Sequence, residues 1–88
     1  MKIKAKGKEY KARWIFTTVR EGRMRLMIAL ESESAIDEIA ADFDGAEAIE
    51  KTEENKPGIV ERFEGFTRLL IVSRENADGL TLVTLATA

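Results

Sequence analysis

Trp14-Ile15-Phe16-Thr17-Thr18-Val19, then Arg20-Glu21-Gly22-Arg23, then Met24-Arg25-Leu26-Met27-Ile28-Ala29-Leu30-Glu31 is the stretch that decides the fold. Successive side chains in a strand point to opposite faces, so these two segments, alternating with period 2, read as strands. The four residues between them are short enough for a hairpin turn, with Gly22 supplying a positive φ. Working toward the N-terminus, a strand around Lys2 to Ala5 reaches Tyr10 through a turn at Lys6-Gly7-Lys8, which makes the first 30 residues a three-stranded meander.

Toward the C-terminus the period changes to 3.6. Ile36, Ile39, Ala40 and Phe43 fall at i, i+3, i+4 and i+7, one face of a short helix over about 33–43. Ser32 or Ser34 is placed to cap its start, and Glu33, Asp37 and Glu38 put negative charge where the helix dipole favours it. Gly45 ends it as a C-terminal cap. Ala46 to Thr52 reads as a strand with Ile49 inward, although its Glu and Ala content also allows a continuing helix. Pro57-Gly58 matches the central pair of a type II turn. Ile59 to Phe63, Phe66 to Arg74 and Leu80 to Ala86 read as three more strands, with Glu64-Gly65 a turn or bulge and Asn76 to Gly79 a hairpin loop. Leu69-Leu70-Ile71-Val72 is apolar on both faces, which predicts a central strand. The expected architecture is α+β, mostly β: an antiparallel sheet or partly open barrel of about six to seven strands with one short helix. The lysines at 2, 4, 6 and 8 are expected to guard a sheet edge, because charged strands resist unwanted pairing.

Eighty-eight residues suffice for one domain, residues 1–88, burying roughly two-thirds of its unfolded surface. No cysteine is present, so neither a disulfide framework nor a thiolate zinc site supports that core. No apolar run reaches the ~18 to 20 residues of a membrane span, and the basic opening is not followed by the apolar region of a signal peptide. The expectation is a soluble protein made and kept in a cytoplasm, with no membrane partner.

A net charge of −2 hides two oppositely charged parts. Residues 1–25 carry nine Lys and Arg against two Glu, whereas the remaining 63 carry five cations against fourteen acids. Such asymmetry predicts electrostatic contact within the fold, between copies, or with an anionic partner. The candidate interaction residues are Lys2, Lys4, Lys6, Lys8, Lys11 and Arg13 on the basic side and Asp42, Asp44, Glu47 and Glu50 on the acidic side. A contact between unlike patches of two copies would be head-to-tail, giving rings or filaments, whereas both patches meeting within one copy would be self-neutralising.

Little catalytic chemistry is available. Without His or Cys, neither a Ser-His-Asp nor a Cys-His constellation can be assembled. Ser32 and Ser34 sit at a helix start, and Ser73 lacks the flanking glycines of a nucleophile elbow. The carboxylates from Asp42 to Glu54 have few apolar neighbours to raise a pKa, and Asp42-x-Asp44-Gly45 brings its glycine two residues too soon for a calcium loop. These readings predict a protein that is not an enzyme and uses no cofactor or metal. Nucleic acid is the alternative partner, because Tyr10, Trp14 and Phe16 interleave with Lys8, Lys11 and Arg13 as in basic sheets that stack single strands.

Phe63-Glu64-Gly65-Phe66-Thr67-Arg68-Leu69, an apolar strand, the Asn76 to Gly79 turn and Leu80-Thr81-Leu82-Val83-Thr84-Leu85 together resemble the ending of small prophage-encoded proteins of tail gene clusters. Those proteins pair a short basic opening such as Met1-Lys2-Ile3 with an aromatic-Glu-Gly-aromatic-Thr segment and a final Val/Thr/Leu strand. The resemblance implies a virion or tail-assembly component, in the cytoplasm of a bacterial host or carried into a virion, that contacts itself or another protein, as a homo-oligomer or a neighbour's partner, with no catalytic residues to carry over.

Overall fold

The computed structural model describes residues 1–75 and 78–87. Seven strands and one helix follow each other as β1 (Lys2–Ala5), β2 (Lys8–Arg20), β3 (Arg23–Leu30), α1 (Ile36–Phe43), β4 (Ala48–Thr52), β5 (Val60–Glu64), β6 (Arg68–Arg74) and β7 (Thr81–Ala86). They form one antiparallel sheet in the order β5-β4-β1-β2-β3-β7-β6, which does not close into a barrel. This is the mostly-β architecture with one short helix that the periodicities predict.

Both N-terminal hairpins turn as expected. Lys6 and Gly7 have φ of 49° and 80°, Glu21 and Gly22 of 53° and 75°. Two consecutive positive φ values give the two-residue turn whose twist matches that of the strands it joins, and glycine at the second place keeps the strain to one residue per turn.

The 13-residue β2 belongs to two half-sheets. Lys8–Lys11 pairs with β1, whereas Ala12–Arg20 pairs with β3, and a bulge between Ala12 and Trp14 bends the strand at the changeover. On one side lies a half-sheet of β5, β4, β1 and the start of β2; on the other, the rest of β2 with β3, β7 and β6. All seven of the chain's lysines lie within or next to the first, and Arg20, Arg23, Arg25, Arg68 and Arg74 lie in the second. They are called below the lysine half and the arginine half.

A second corner joins the halves. Antiparallel order makes the two outermost strands, β5 and β6, run in the same sense, and only residues 65–67 link them. Three residues span at most about 15 Å, and parallel neighbours need a far longer crossover, so β6 begins where β5 ends and leads the chain from one half into the other. Gly65, at φ 84°, makes the bend, and Phe66 anchors it in the core.

The concave side holds the core: Ile3, Tyr10, Leu26, Ile28, Leu30, Ile49, Val83 and Leu85 from the strands, closed by Ile39 and Phe43 of α1. The helix starts at Ile36, later than the expected 33, and the serines do not cap it. Ala35 is the N-cap residue and makes no side-chain capping bond. The serines are engaged elsewhere: the Ser34 amide donates to Ser32 Oγ, Thr81 Oγ1 donates to the Ser32 carbonyl, and Arg74 donates to the Ser34 carbonyl at 2.5 Å. The segment before the helix is thereby tied to β6 and β7. Gly45, at φ 74°, ends the helix as expected, and its amide donates to the Thr67 carbonyl, fastening the helix to the β5–β6 bend.

Two further expectations are corrected. Leu69–Val72 lies in β6, which is an outermost strand instead of a central one, and Ile71 is 54% exposed. The lysines of β1 guard no edge, because β1 lies between β4 and β2 in the interior of the sheet. The expected Ala46–Thr52 strand begins at Ala48, and the strand expected from Phe66 begins at Arg68 because Phe66 and Thr67 form the corner. In the loop expected at Asn76 to Gly79, Asn76 and Ala77 lie outside the described residues; the Leu80 amide donates to Asp78 Oδ1 and Gly79 has φ 71°.

Candidate interaction surfaces

On the outer face of the lysine half, register aligns charges of alternating sign. Glu9 of β2 stands opposite Lys4 of β1, Lys4 opposite Glu50 of β4, and Glu50 opposite Arg62 of β5. Opposite-charge pairs across strands contribute about 0.2–1 kcal/mol each. Lys2 reaches Glu9 at 4.0 Å, and Arg62 reaches Glu64 at 2.7 Å. At the bulge, Glu31 holds Lys11 at 3.6 Å and Arg13 at 3.1 Å. The bonds from Arg13, with Lys11 adding its charge, hold the Glu31 carboxyl below its usual range.

On the rim toward the helix, Lys8 approaches Asp42 at 3.5 Å and Glu38 at 4.0 Å, and the Tyr10 hydroxyl donates to Asp42. Burial, followed by the bond to Asp42, raises the Tyr10 pKa above its ordinary value. The Tyr10 hydroxyl foremost, with Asp42, raises that of Lys8. Lys6 donates to the Ala41 carbonyl at 3.0 Å, placing a cation at the helix C-terminus where the dipole favours it.

The predicted basic and acidic residues therefore meet inside one chain. Lys2, Lys4, Lys8, Lys11 and Arg13 each face a carboxylate of the same copy, and Asp42 and Glu50 are two of those carboxylates. Asp44 and Glu47 are exposed and enter no ion pair among the described residues; Glu47 lines a shallow depression with Lys6, Glu50 and Arg62. Tyr10 is only 5% exposed and packs its ring 5.6 Å from Phe43, so it offers no stacking surface.

The arginine half presents a different outer face. Phe16, Met27, Thr84 and Ile71 form one row across β2, β3, β7 and β6, and Trp14, Ala29, Leu82 and Ser73 form the next. Trp14 and Phe16 stack with ring centroids 5.0 Å apart. A row on the other side places Arg25 and Arg68 on either side of Ala86, and Arg20 pairs with Arg23 beyond it. Phe16, Arg20, Arg25, Met27, Leu70 and Ile71 line a groove of about 440 Å³. Among the described residues, Arg20, Arg23, Arg25 and Arg68 form no ion pair.

This surface escaped the sequence reading, which treats Leu69–Val72 as interior and the Trp14 strand through its N-terminal basic neighbours. Its signal was the cation type: every lysine on or beside one set of strands, and five of the seven arginines on the other. Among the described residues, no three carboxylates converge to hold a metal ion, and no helix is long and apolar enough to cross a membrane. Compared with known proteins, the chain matches no family model, no curated protein and no solved structure.

Proposed function

We propose that the chain is a non-enzymatic assembly protein of a phage or prophage, binding copies of itself or a neighbouring protein through the free edge of β6. One observation carries this reading: along Leu69–Val72 β6 is apolar on both faces, yet it ends the sheet with β7 as its one strand partner, α1 being the other element that touches it among the described residues. Leu70 is 36% and Ile71 54% exposed there. An exposed apolar edge is a template for a further strand, and soluble proteins ordinarily blunt it with charge or proline. The tail-cluster resemblance, whose aromatic-Glu-Gly-aromatic segment forms the corner leading into β6, supplies the setting. Pairing between the Lys2–Arg13 meander of one copy and Asp42–Glu54 of another is the less favoured contact, because many of those charges are joined within one copy.

Molar mass by light scattering tests this, at about 50 mM and about 500 mM salt, which spans strong to weak screening. An edge held by backbone bonds and apolar side chains gives a mass above the monomer at both, and Leu70→Lys with Ile71→Lys returns it to the monomer. Wild-type protein that is monomeric at both salts removes self-assembly; a neighbour as partner then requires that an edge-blocked variant lose that neighbour.

A further inference from the structure

We infer that the outer face of the arginine half is a binding site for single-stranded nucleic acid, with bases on the Trp14–Phe16 stack and phosphates on Arg20, Arg25 and Arg68. This site shares Arg68, Leu70 and Ile71 with β6 but uses the convex face and not the backbone edge, and it does not depend on the assembly reading.

Three observations converge on it. The first is charge: the arginines here are unpaired among the described residues, and the outer rows spanning β2, β3, β7 and β6 contain no acidic residue. In the lysine half nearly every outer cation stands beside a carboxylate. A polyanion responds to the local field of a surface, so a net charge of −2 does not oppose binding at this face.

The second is the kind of cation. Guanidinium groups bind phosphate through two parallel hydrogen bonds and lie flat against bases, which a lysine ammonium cannot do. A general basic surface would mix both; this face has arginines alone.

The third is the aromatic pair. Phe16 is 46% exposed although it stands mid-strand, and Trp14 beside it is half-buried. Bases stack on such rings with little regard to sequence, and the groove running from Phe16 toward Ile71 offers apolar floor for a neighbouring base. An acidic peptide would satisfy the arginines but would leave the flat ring surface unused, which is why nucleic acid is favoured over protein here.

Trp14 is the chain's only tryptophan, so its fluorescence reports on this face alone. The test titrates the full chain into fluorescein-labelled oligo-dT and oligo-U of about 12 nucleotides, within the span a small β module covers. Anisotropy and Trp14 emission are followed at about 50 mM and about 200 mM salt. Binding is expected to quench Trp14, and three phosphate contacts give a log–log salt slope near −2. Arg25→Glu with Arg68→Glu should weaken binding roughly tenfold or more. Phe16→Ala should weaken it about fivefold or more with the slope unchanged. Lys2→Glu with Lys4→Glu, in the other half, should leave it as it was.

No anisotropy change overturns the proposal. So does binding that survives the arginine reversals, or that is lost in the lysine variant. Trp14 emission per mole of chain that changes with protein concentration but not with oligonucleotide overturns it as well and assigns this face to a protein contact. Thermal unfolding of each variant separates loss of the site from loss of the fold.

Discussion

The two halves of the sheet bury the same core on their concave side but treat their convex side in opposite ways. In the lysine half, Glu9, Lys4, Glu50 and Arg62 alternate in sign across four strands, so the surface is satisfied by the chain's own charges. In the arginine half, apolar rows stand beside arginine rows without carboxylates, and the outermost strand, β6, carries four consecutive apolar residues, Leu69–Val72. The sequence asymmetry thus contains two different things: a lysine-rich segment that is neutralised on folding, and a set of arginines that folding leaves available. A count of charge along the chain merges the two.

The largest expected effect comes from the element that joins the halves. Phe43 is fully buried, and its helix touches β6 in the arginine half while pairing with Lys8 and Tyr10 in the lysine half. Phe43→Ala should cost about 3–5 kcal/mol in denaturant unfolding, by lost transfer free energy and a residual cavity. A loss near 1 kcal/mol would mean that the helix is a minor attachment.

Next comes Tyr10→Phe, which removes the bond to Asp42 and should cost about 1–2 kcal/mol at neutral pH. Its pH dependence has a definite sign. A raised folded-state pKa means that the folded chain holds the phenolic proton more tightly than the unfolded one. That stabilisation is fully present below the unfolded pKa of about 10 and is lost as pH rises through the folded value. Wild-type stability should fall more steeply than the variant's on the alkaline side; parallel curves would remove the assigned cause.

A matched pair sharpens the contrast between convex faces. Lys4→Glu sets three carboxylates side by side in the ladder and should cost about 1 kcal/mol. Ile71→Lys, in the arginine half, should stay within about 0.5 kcal/mol, because the residue already faces solvent in the isolated chain. Equal costs would erase the distinction. The smallest effect belongs to Glu31→Gln. A depressed carboxyl pKa gives stability that is present above the unfolded value and lost as pH falls through the folded one, so the variant should show a shallower acid limb.

Much of this fold was legible because it is local. Period-2 runs, Gly7 and Gly22 at their turns, and the i, i+3, i+4, i+7 stripe of α1 are decided within a few residues of themselves. Strand order is not local. Leu69–Val72 reads as interior because apolarity on both faces ordinarily means cover on both faces; here the cover on one face is missing. The lysines of β1 read as an edge guard because alternation reveals which residues share a face, and not what lies beside the strand. Their true neighbours, Glu9 and Glu50, come from the turn at Gly7 and from a strand more than forty residues away. Ser32 and Ser34 fail as caps for the same reason: their partners, Thr81 and Arg74, are distant in sequence. Of the candidate site, the charged residues were found and their pairing within the chain was weighed, but the groove was not, since it is assembled from four strands.

On the proposed reading the arginine half, at the β6 edge and its convex face, is where this chain meets others. Amide hydrogen exchange of the wild-type chain, followed as protein concentration rises, tests it most directly. Amides of Arg68–Arg74 are expected to gain protection with concentration while those of Lys2–Lys11 and Val60–Glu64 do not change. Protection gained in the lysine half instead would contradict it, and protection gained in neither half at any concentration would remove self-assembly.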